Sequence, residues 1–305
     1  MNAANHSFPL HDNHSHTQIV RRVPARARVL ELGCGDGSMS QLLHDFCHAQ
    51  ITGVDHNAQA LQQARAYCTT ILPADLEQPD SLAEFDDHAF DVITLVDVLE
   101  HLKDPIALLH RLERLLAPQG RLLLSVPNVA HASVRLELLN GQFDYETTGI
   151  LDTTHLKFFT LKSLLGLLQQ AGYQVQEVDY TQHDMPDAVI ARYLQQAGLE
   201  ATPAALAAFH TPEAMAYQFI ICATPLTAAT VLADVEKDTR TFPAALPTLN
   251  PKPLAASWET WGQLHHELQQ TQAELERVYA TRSWRLLRRG AAVWRSIQAR
   301  FTQAC

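Results

Sequence analysis

Val29-Leu30-Glu31-Leu32-Gly33-Cys34-Gly35-Asp36-Gly37 decides the fold of this 305-residue chain. An apolar run that ends in glycines at alternate positions reads as a buried strand entering a tight turn, where glycine supplies backbone angles that other residues reach only with strain. Met39, Leu42, Leu43 and Phe46 follow at helical spacing and predict a helix with an inward apolar face. Strand, side-chain-free turn and helix N-terminus together form a cradle whose backbone can approach a ligand closely.

Outward from the turn, the next informative stretches are strand ends that carry acids. Ile51-Thr52-Gly53-Val54-Asp55 closes a second short strand about 20 residues on, where a carboxylate can accept both hydroxyls of a ribose. Leu72-Pro73-Ala74-Asp75-Leu76 ends a third, with an acid beside an apolar wall suited to an adenine amino group. The spacing of the turn is G-x-G-x-G, which differs from the G-x-G-x-x-G of dinucleotide binders. This ordered set resembles the class I S-adenosylmethionine-dependent methyltransferases. The resemblance implies S-adenosylmethionine as cofactor, with Gly33 and Gly35 bordering its methionine part, Asp55 on the ribose and Asp75 on the adenine. Glu31 and Asp97, near the ends of their strands, complete the expected cofactor-binding set.

Strands are predicted at 28–32, 51–55, 69–73, 91–96, 121–126, 173–179 and 217–223, alternating with helical patterns. The expectation is an α/β, Rossmann-like, doubly wound seven-stranded sheet with a C-terminal helical appendage, its last strand pair antiparallel. Asp104-Pro105 caps and opens a helix with Ile106, Leu109, Leu112 and Leu116 inward, and Pro118-Gln119-Gly120 turns into the fifth strand. Thr160 caps a helix over 161–171 that Gly172 ends, and helical periodicity returns across 185–214. The division is a mobile arm at 1–27, a methyltransferase domain at 28–226, a Pro-rich linker at 227–256 and a helical tail at 257–305. The arm carries His6, His11, His14 and His16 among polar residues with no apolar periodicity, and no metal is assigned to it or to the rest of the chain.

The net charge of −10 is unevenly spread, because residues 281–305 hold six arginines and no acid, which leaves an acidic body. Nucleic acid is disfavoured as a partner of such a body. Five cysteines without a C-x-x-C pair argue against a disulfide framework or a zinc site. With no signal-peptide pattern and no apolar run near 18 residues, a cytoplasmic protein is expected. In the tail, Leu264, Leu268, Leu275 and Val278 recur at helical spacing, interrupted by Thr271, and the six arginines share one arc of a helical wheel opposite Trp284, Leu286, Leu287, Val293, Trp294 and Ile297. An anionic membrane surface at the inner face, a protein partner such as a glycosyltransferase, and a solvated end are the three readings of this tail.

Chemistry is expected at two clusters. Asp97-Val98-Leu99-Glu100-His101-Leu102 ends the fourth strand at the carboxyl edge of the sheet, where ligands of doubly wound folds sit. His101 titrates in the useful range and is the first candidate for general base, the alternative being that it orients a loop or a cofactor group. The second cluster is Pro127-Asn128-Val129-Ala130-His131, then Phe143-Asp144-Tyr145 and Gly149 to Thr160, a long excursion above the cradle. It supplies His155 as second catalytic candidate and Asn128, His131 and Tyr145 as an acceptor pocket. Phe158 and Phe159 are expected to pack the following helix and Asp152 to cap a turn. With Ser125-Val126-Pro127-Asn128, these runs are similar to the ubiquinone-biosynthesis-like branch of the superfamily, especially members that accompany glycosyltransferases in surface-polysaccharide synthesis. The resemblance implies O-methylation of a sugar hydroxyl of a surface glycan or its precursor. Two alternatives stay open: a phenolic or quinone-type acceptor, for which Asp97, Glu100 and His101 are conceivable ligands of a divalent metal, and a weakly catalytic partner of a glycosyltransferase. Ser283-Trp284-Arg285-Leu286 resembles a C-terminal element of glycan-modifying proteins, although Leu287-Arg288-Arg289-Gly290 follows where that element continues through a Thr and a Pro.

Overall fold

Seven strands form one sheet in the order β3-β2-β1-β4-β5-β7-β6. The structure is a computed structural model and describes residues 12–226. In chain order the elements are α1 (Ser15–Val20), β1 (Arg28–Leu32), α2 (Ser38–Cys47), β2 (Gln50–Asp55), α3 (Ala58–Ala64), β3 (Thr70–Pro73), β4 (Phe90–Val96), α4 (Pro105–Glu113) and β5 (Leu116–Pro127). They continue with α5 (Ala132–Leu139), α6 (Leu161–Gln170), β6 (Tyr173–Gln182), α7 (Asp187–Gln196), α8 (Pro203–Ala207), α9 (Pro212–Met215) and β7 (Ala216–Pro225). Strands β1 to β5 pair in parallel, and β7 enters antiparallel between β5 and β6. This is the doubly wound seven-stranded arrangement expected. The order reverses between β1 and β4, so a crevice opens beyond their carboxyl ends.

Successive side chains of a strand point to opposite faces, and the core follows that rule. Leu30, Leu32, Ile93, Leu95, Leu122 and Leu124 pack with Leu108, Leu109 and Leu112 of α4 and Leu164 and Leu168 of α6. Val29, Val92 and Leu123, one residue out of phase, pack with Met39, Leu42 and Leu43 of α2. Phe46 stands outside this face at 53% exposure, contrary to its periodicity. Leu116 is buried but belongs to β5, because α4 ends at Glu113 and the strand starts before the expected Pro-Gln-Gly turn, which becomes a register shift against β4. Thr160 and Ser163 form a reciprocal capping box at α6.

The expected mobile arm is corrected for its described part. Ile19 and Val20 of α1 are buried in the face that contains α2. Asn13 exchanges hydrogen bonds with the backbone of Gln182 at 2.8 and 2.6 Å, the Gln18 amide donates to the Tyr180 carbonyl at 3.0 Å, and Arg22 pairs with Glu177 and Asp179. A six-residue helix is too short to show a period, and its anchors lie on β6, far along the chain. The linker and tail expected at 227–305 lie outside the described residues. Among the described residues no helix is long and apolar enough to cross a membrane.

Candidate active site

The glycine turn has positive φ at Gly33 (71°), Gly35 (51°) and Gly37 (89°), for two different reasons. A Cβ on Gly33 would meet Val98 Cγ2 at 2.6 Å and one on Gly37 would meet Ala64 Cα at 2.6 Å, so these two permit close packing. A Cβ on Gly35 would meet nothing within 4 Å and would intrude into open space above the turn. Such a cradle admits a ligand against bare backbone. Asp55 fixes its shape: one carboxylate oxygen accepts the Gly35 N–H at 2.9 Å and the other the Asn57 N–H at 2.8 Å.

A cleft of about 660 Å³ opens here, lined by Gly33, Asp55, Asp75, Asp97 and His101 among others. Asp75 lies at its exposed mouth, held below the usual carboxylate range by the Gln78 amide and the Glu77 N–H. Asp97 has φ of 54° and is clamped from two strands. The Ser125 hydroxyl donates to it at 2.8 Å, and the Gln218 amide of β7 lies 2.9 and 2.8 Å from its two oxygens. Sequence reasoning missed Gln218, which is 121 residues away in the chain. Glu31 does not join the cleft. Its buried carboxyl accepts the Ser40 hydroxyl at 2.6 Å beneath the turn, and burial, with a smaller push from Asp55, raises its pKa to about 8 against the pull of that bond.

Beyond β4 a 3-10 turn, Leu99–His101, places Glu100 inward and His101 outward. The Glu100 carbonyl accepts the N–H groups of Leu156 and Lys157 at 2.7 and 2.9 Å, which ties the long loop down onto this turn. His101 and His155 thereby meet edge to face with ring centroids 4.8 Å apart. Nδ1 of His101 faces the Thr154 carbonyl at 3.2 Å and Nδ1 of His155 the Ile150 carbonyl at 2.9 Å. A carbonyl only accepts, so Nδ1 carries a proton in both rings and Nε2 is the nitrogen left for a ligand. Glu100 is 1% exposed and neither carboxylate oxygen has a hydrogen-bond partner. Burial first, and Asp97 second, hold its pKa well above the ordinary range. Ligand atoms of Glu100, His101 and His155 lie within 4.8 Å of one another. An orphaned buried carboxylate with two imidazole nitrogens is a donor set that fits a divalent cation. The expectation of no metal thus meets residues able to hold one. Asp97 is outside the set, and Ser125 and Gln218 donate to its oxygens.

The expected acceptor pocket is corrected at two of its three residues. Asn128 is 0% exposed, with its amide nitrogen donating to the carbonyls of Glu213 and Ala216 at 2.8 Å each and its oxygen accepting the Ala130 N–H. His131 is equally buried, one ring nitrogen at the Ser133 hydroxyl and the other at the His183 carbonyl, both at 2.9 Å. These side chains staple loops together and have no atom left for an acceptor. Tyr145 remains, 56% exposed, in an aromatic panel: its ring lies 5.7 Å from Phe143, which lies 5.6 Å from Phe158, and Phe158 reaches His155 at 6.4 Å. Phe159 alone packs into the core beside α6, and Asp152 accepts the N–H and hydroxyl of Thr154 in a turn.

Residues 13–178 match the family described as Methyltransferase domain. The chain is 31% identical over 154 residues to a ubiquinone biosynthesis O-methyltransferase of Neisseria meningitidis, a match that covers 48% of this chain and 64% of that protein. A ubiquinone biosynthesis O-methyltransferase of Xanthomonas axonopodis pv. citri is 30% identical over 163 residues, covering 52% of this chain and 67% of the relative. A solved SAM-dependent methyltransferase of Thermotoga maritima, titled as a possible histamine N-methyltransferase, is similar at 18% identity with a TM-score of 0.47, over 69% of this chain and 87% of that one.

Proposed function

The chain belongs to the methyltransferase domain family, enzymes that draw their methyl group from S-adenosylmethionine, and from that premise we propose that it methylates a hydroxyl oxygen with His101 as general base. The observation that carries this reading is that His101 lines the same cleft as Gly33, Asp55, Asp75 and Asp97 while its Nδ1 is anchored on Thr154. A hydroxyl oxygen attacks the methyl carbon in line, the carbon–sulfur bond breaks with its electron pair going to sulfur, and the hydroxyl proton passes to Nε2 of His101. Most of the acceleration comes from holding the reactants in line. Asp55 and Asp75 take the ribose and adenine, and the acid-rich cleft suits a cofactor of net positive charge. His155 fixes the His101 ring edge-on. Were a divalent cation held by Glu100, His101 and His155, it would polarise the acceptor oxygen, and Nε2 of His101 would then serve as its ligand in place of taking the proton.

The acceptor that best suits the panel of Phe143, Tyr145 and Phe158 is a phenolic ring, and the names of the relatives point the same way. A sugar hydroxyl of a surface glycan is the second reading, favoured by the Ser283-Trp284-Arg285-Leu286 motif. Transfer of labelled methyl from S-adenosylmethionine into a cell extract, followed by separation into quinone-lipid, glycan, protein and RNA fractions, distinguishes them. Label in the quinone-lipid fraction, lost in His101→Ala, is expected. Label in the glycan fraction would install the second reading, and label in neither would contradict both.

A further inference from the structure

One tight turn, Asp152 to His155, serves both imidazoles of the site. A single Asp152 carboxylate oxygen accepts the Thr154 N–H at 2.7 Å and the Thr154 hydroxyl at 2.6 Å, and the Asp152 carbonyl accepts the His155 N–H at 3.0 Å. The peptide between Thr154 and His155 is therefore tied at its N–H and presents its carbonyl to Nδ1 of His101 at 3.2 Å. The flanks of the turn are held as well: the Glu146 carbonyl accepts the Thr153 N–H at 2.9 Å, and the Glu100 carbonyl accepts Leu156 and Lys157. Thr154 lines the cofactor cleft together with His101. A chain of hydrogen bonds thus runs from Asp152 to the His101 ring, and bonds linked in this way polarise one another. The Thr154 donors hold the Asp152 carboxyl below the usual carboxylate range, and its charge acts on His155 and His101.

We propose that Asp152 is a positioning residue for methyl transfer, which through Thr154 fixes the proton of His101 on Nδ1 and so leaves Nε2 to take the proton of the acceptor. The nitrogen of a neutral imidazole that carries the proton is set by the hydrogen bond made at the ring. Without a carbonyl held at Nδ1, the ring can turn or shift its proton to Nε2, and a neutral ring protonated at Nε2 has no lone pair there to accept another. Asp152 acts on the ring through one peptide. This separates it from an ordinary turn cap, whose loss would loosen the loop and leave the proton of His101 where it was. The inference rests on the reading of His101 as base, and its test separates the two.

NMR of isotope-labelled histidine rings in the full chain, recorded above the imidazole titration range and assigned with His101→Ala, reports where the neutral His101 ring carries its proton. The wild type is expected to hold it on Nδ1 and Asp152→Ala to show a mixture of both tautomers. Asp152→Asn, which keeps an oxygen for Thr154, should resemble the wild type. In the labelled-methyl assay, Asp152→Ala should lower the rate by about tenfold to a hundredfold, a part of the roughly 10²–10⁴-fold that a positioned base supplies, with affinity for S-adenosylmethionine unchanged. In a His101→Ala background the same substitution should cost no more than about twofold, because the group it acts through is gone. An unchanged tautomer in Asp152→Ala, equal rate losses in the two backgrounds, or an Asn variant as poor as the Ala one overturns the role of Asp152 alone. A wild-type rate in His101→Ala overturns the base reading and the catalytic role of Asp152 with it.

Discussion

His101 and His131 are the same side chain in two regions of the molecule, with opposite fates. At the carboxyl ends of β1 to β4, His101 spends Nδ1 on a carbonyl and keeps Nε2 for a ligand. In the loop layer that follows β5, His131 gives both nitrogens to the protein and becomes a staple. The difference teaches that a functional histidine is marked by the nitrogen left over after the fold is satisfied. Glu100 carries the same mark, and Asn128 lacks it.

The comparison would break most visibly in rate. His101→Ala is expected to lower kcat by about 10²–10⁴-fold with cofactor affinity unchanged, whereas His131→Ala should lower the thermal midpoint and leave kcat per folded molecule within a few-fold. Equal rate losses per folded molecule in steady-state assays would erase the distinction. The glycine turn sharpens it in stability. Gly37→Ala should destabilise by about 3 kcal/mol or more in urea, since backbone strain adds to a collision with Ala64, while Gly35→Ala should cost about 1 kcal/mol and instead weaken cofactor binding. Asn128→Ala strands two buried carbonyls and should cost about 2 kcal/mol, with KM for the acceptor unmoved. A rise in KM without loss of stability would restore Asn128 to the acceptor pocket.

A pH-dependent effect lies under the turn. With a pKa raised to about 8, Glu31 keeps its proton in the folded protein over a range where the unfolded chain has released it. The folded state then binds more protons than the unfolded one, so the contribution of Glu31 is fully present below about pH 4.5 and is lost as pH rises to about 8, with a slope near 1.4 kcal/mol per pH unit. Glu31→Gln should remove that slope from stability curves measured between pH 5 and 8. An unchanged slope would mean that Glu31 ionises normally and that its carboxyl lies nearer the cleft than beneath it.

Much of the first region was legible because local rules fix it. Glycines at alternate positions, an acid at the end of β2 and alternating apolar runs place the sheet, the turn and Asp55 without knowledge of distant contacts. The second region depends on partners that no local pattern announces. Gln218 reaches Asp97 across 121 residues, and Asn13 reaches Gln182 across 169. Asn128 and His131 share the polar chemistry of binding residues, and only their completed hydrogen bonds reveal a structural role. The buried pair Ile19 and Val20, followed by two arginines, is too brief to show helical periodicity, so α1 reads as an arm.

The central claim is that the glycine turn and the acid at the end of β2 form the S-adenosylmethionine site. Equilibrium dialysis of labelled S-adenosylmethionine against the full wild-type chain and Asp55→Ala tests it most directly, because this carboxylate both shapes the turn through Gly35 and is assigned to the ribose. One saturable site per chain, weakened about a hundredfold in Asp55→Ala while the variant remains folded by circular dichroism, is the predicted result. Binding of equal strength in the two proteins would place the cofactor elsewhere and contradict the account.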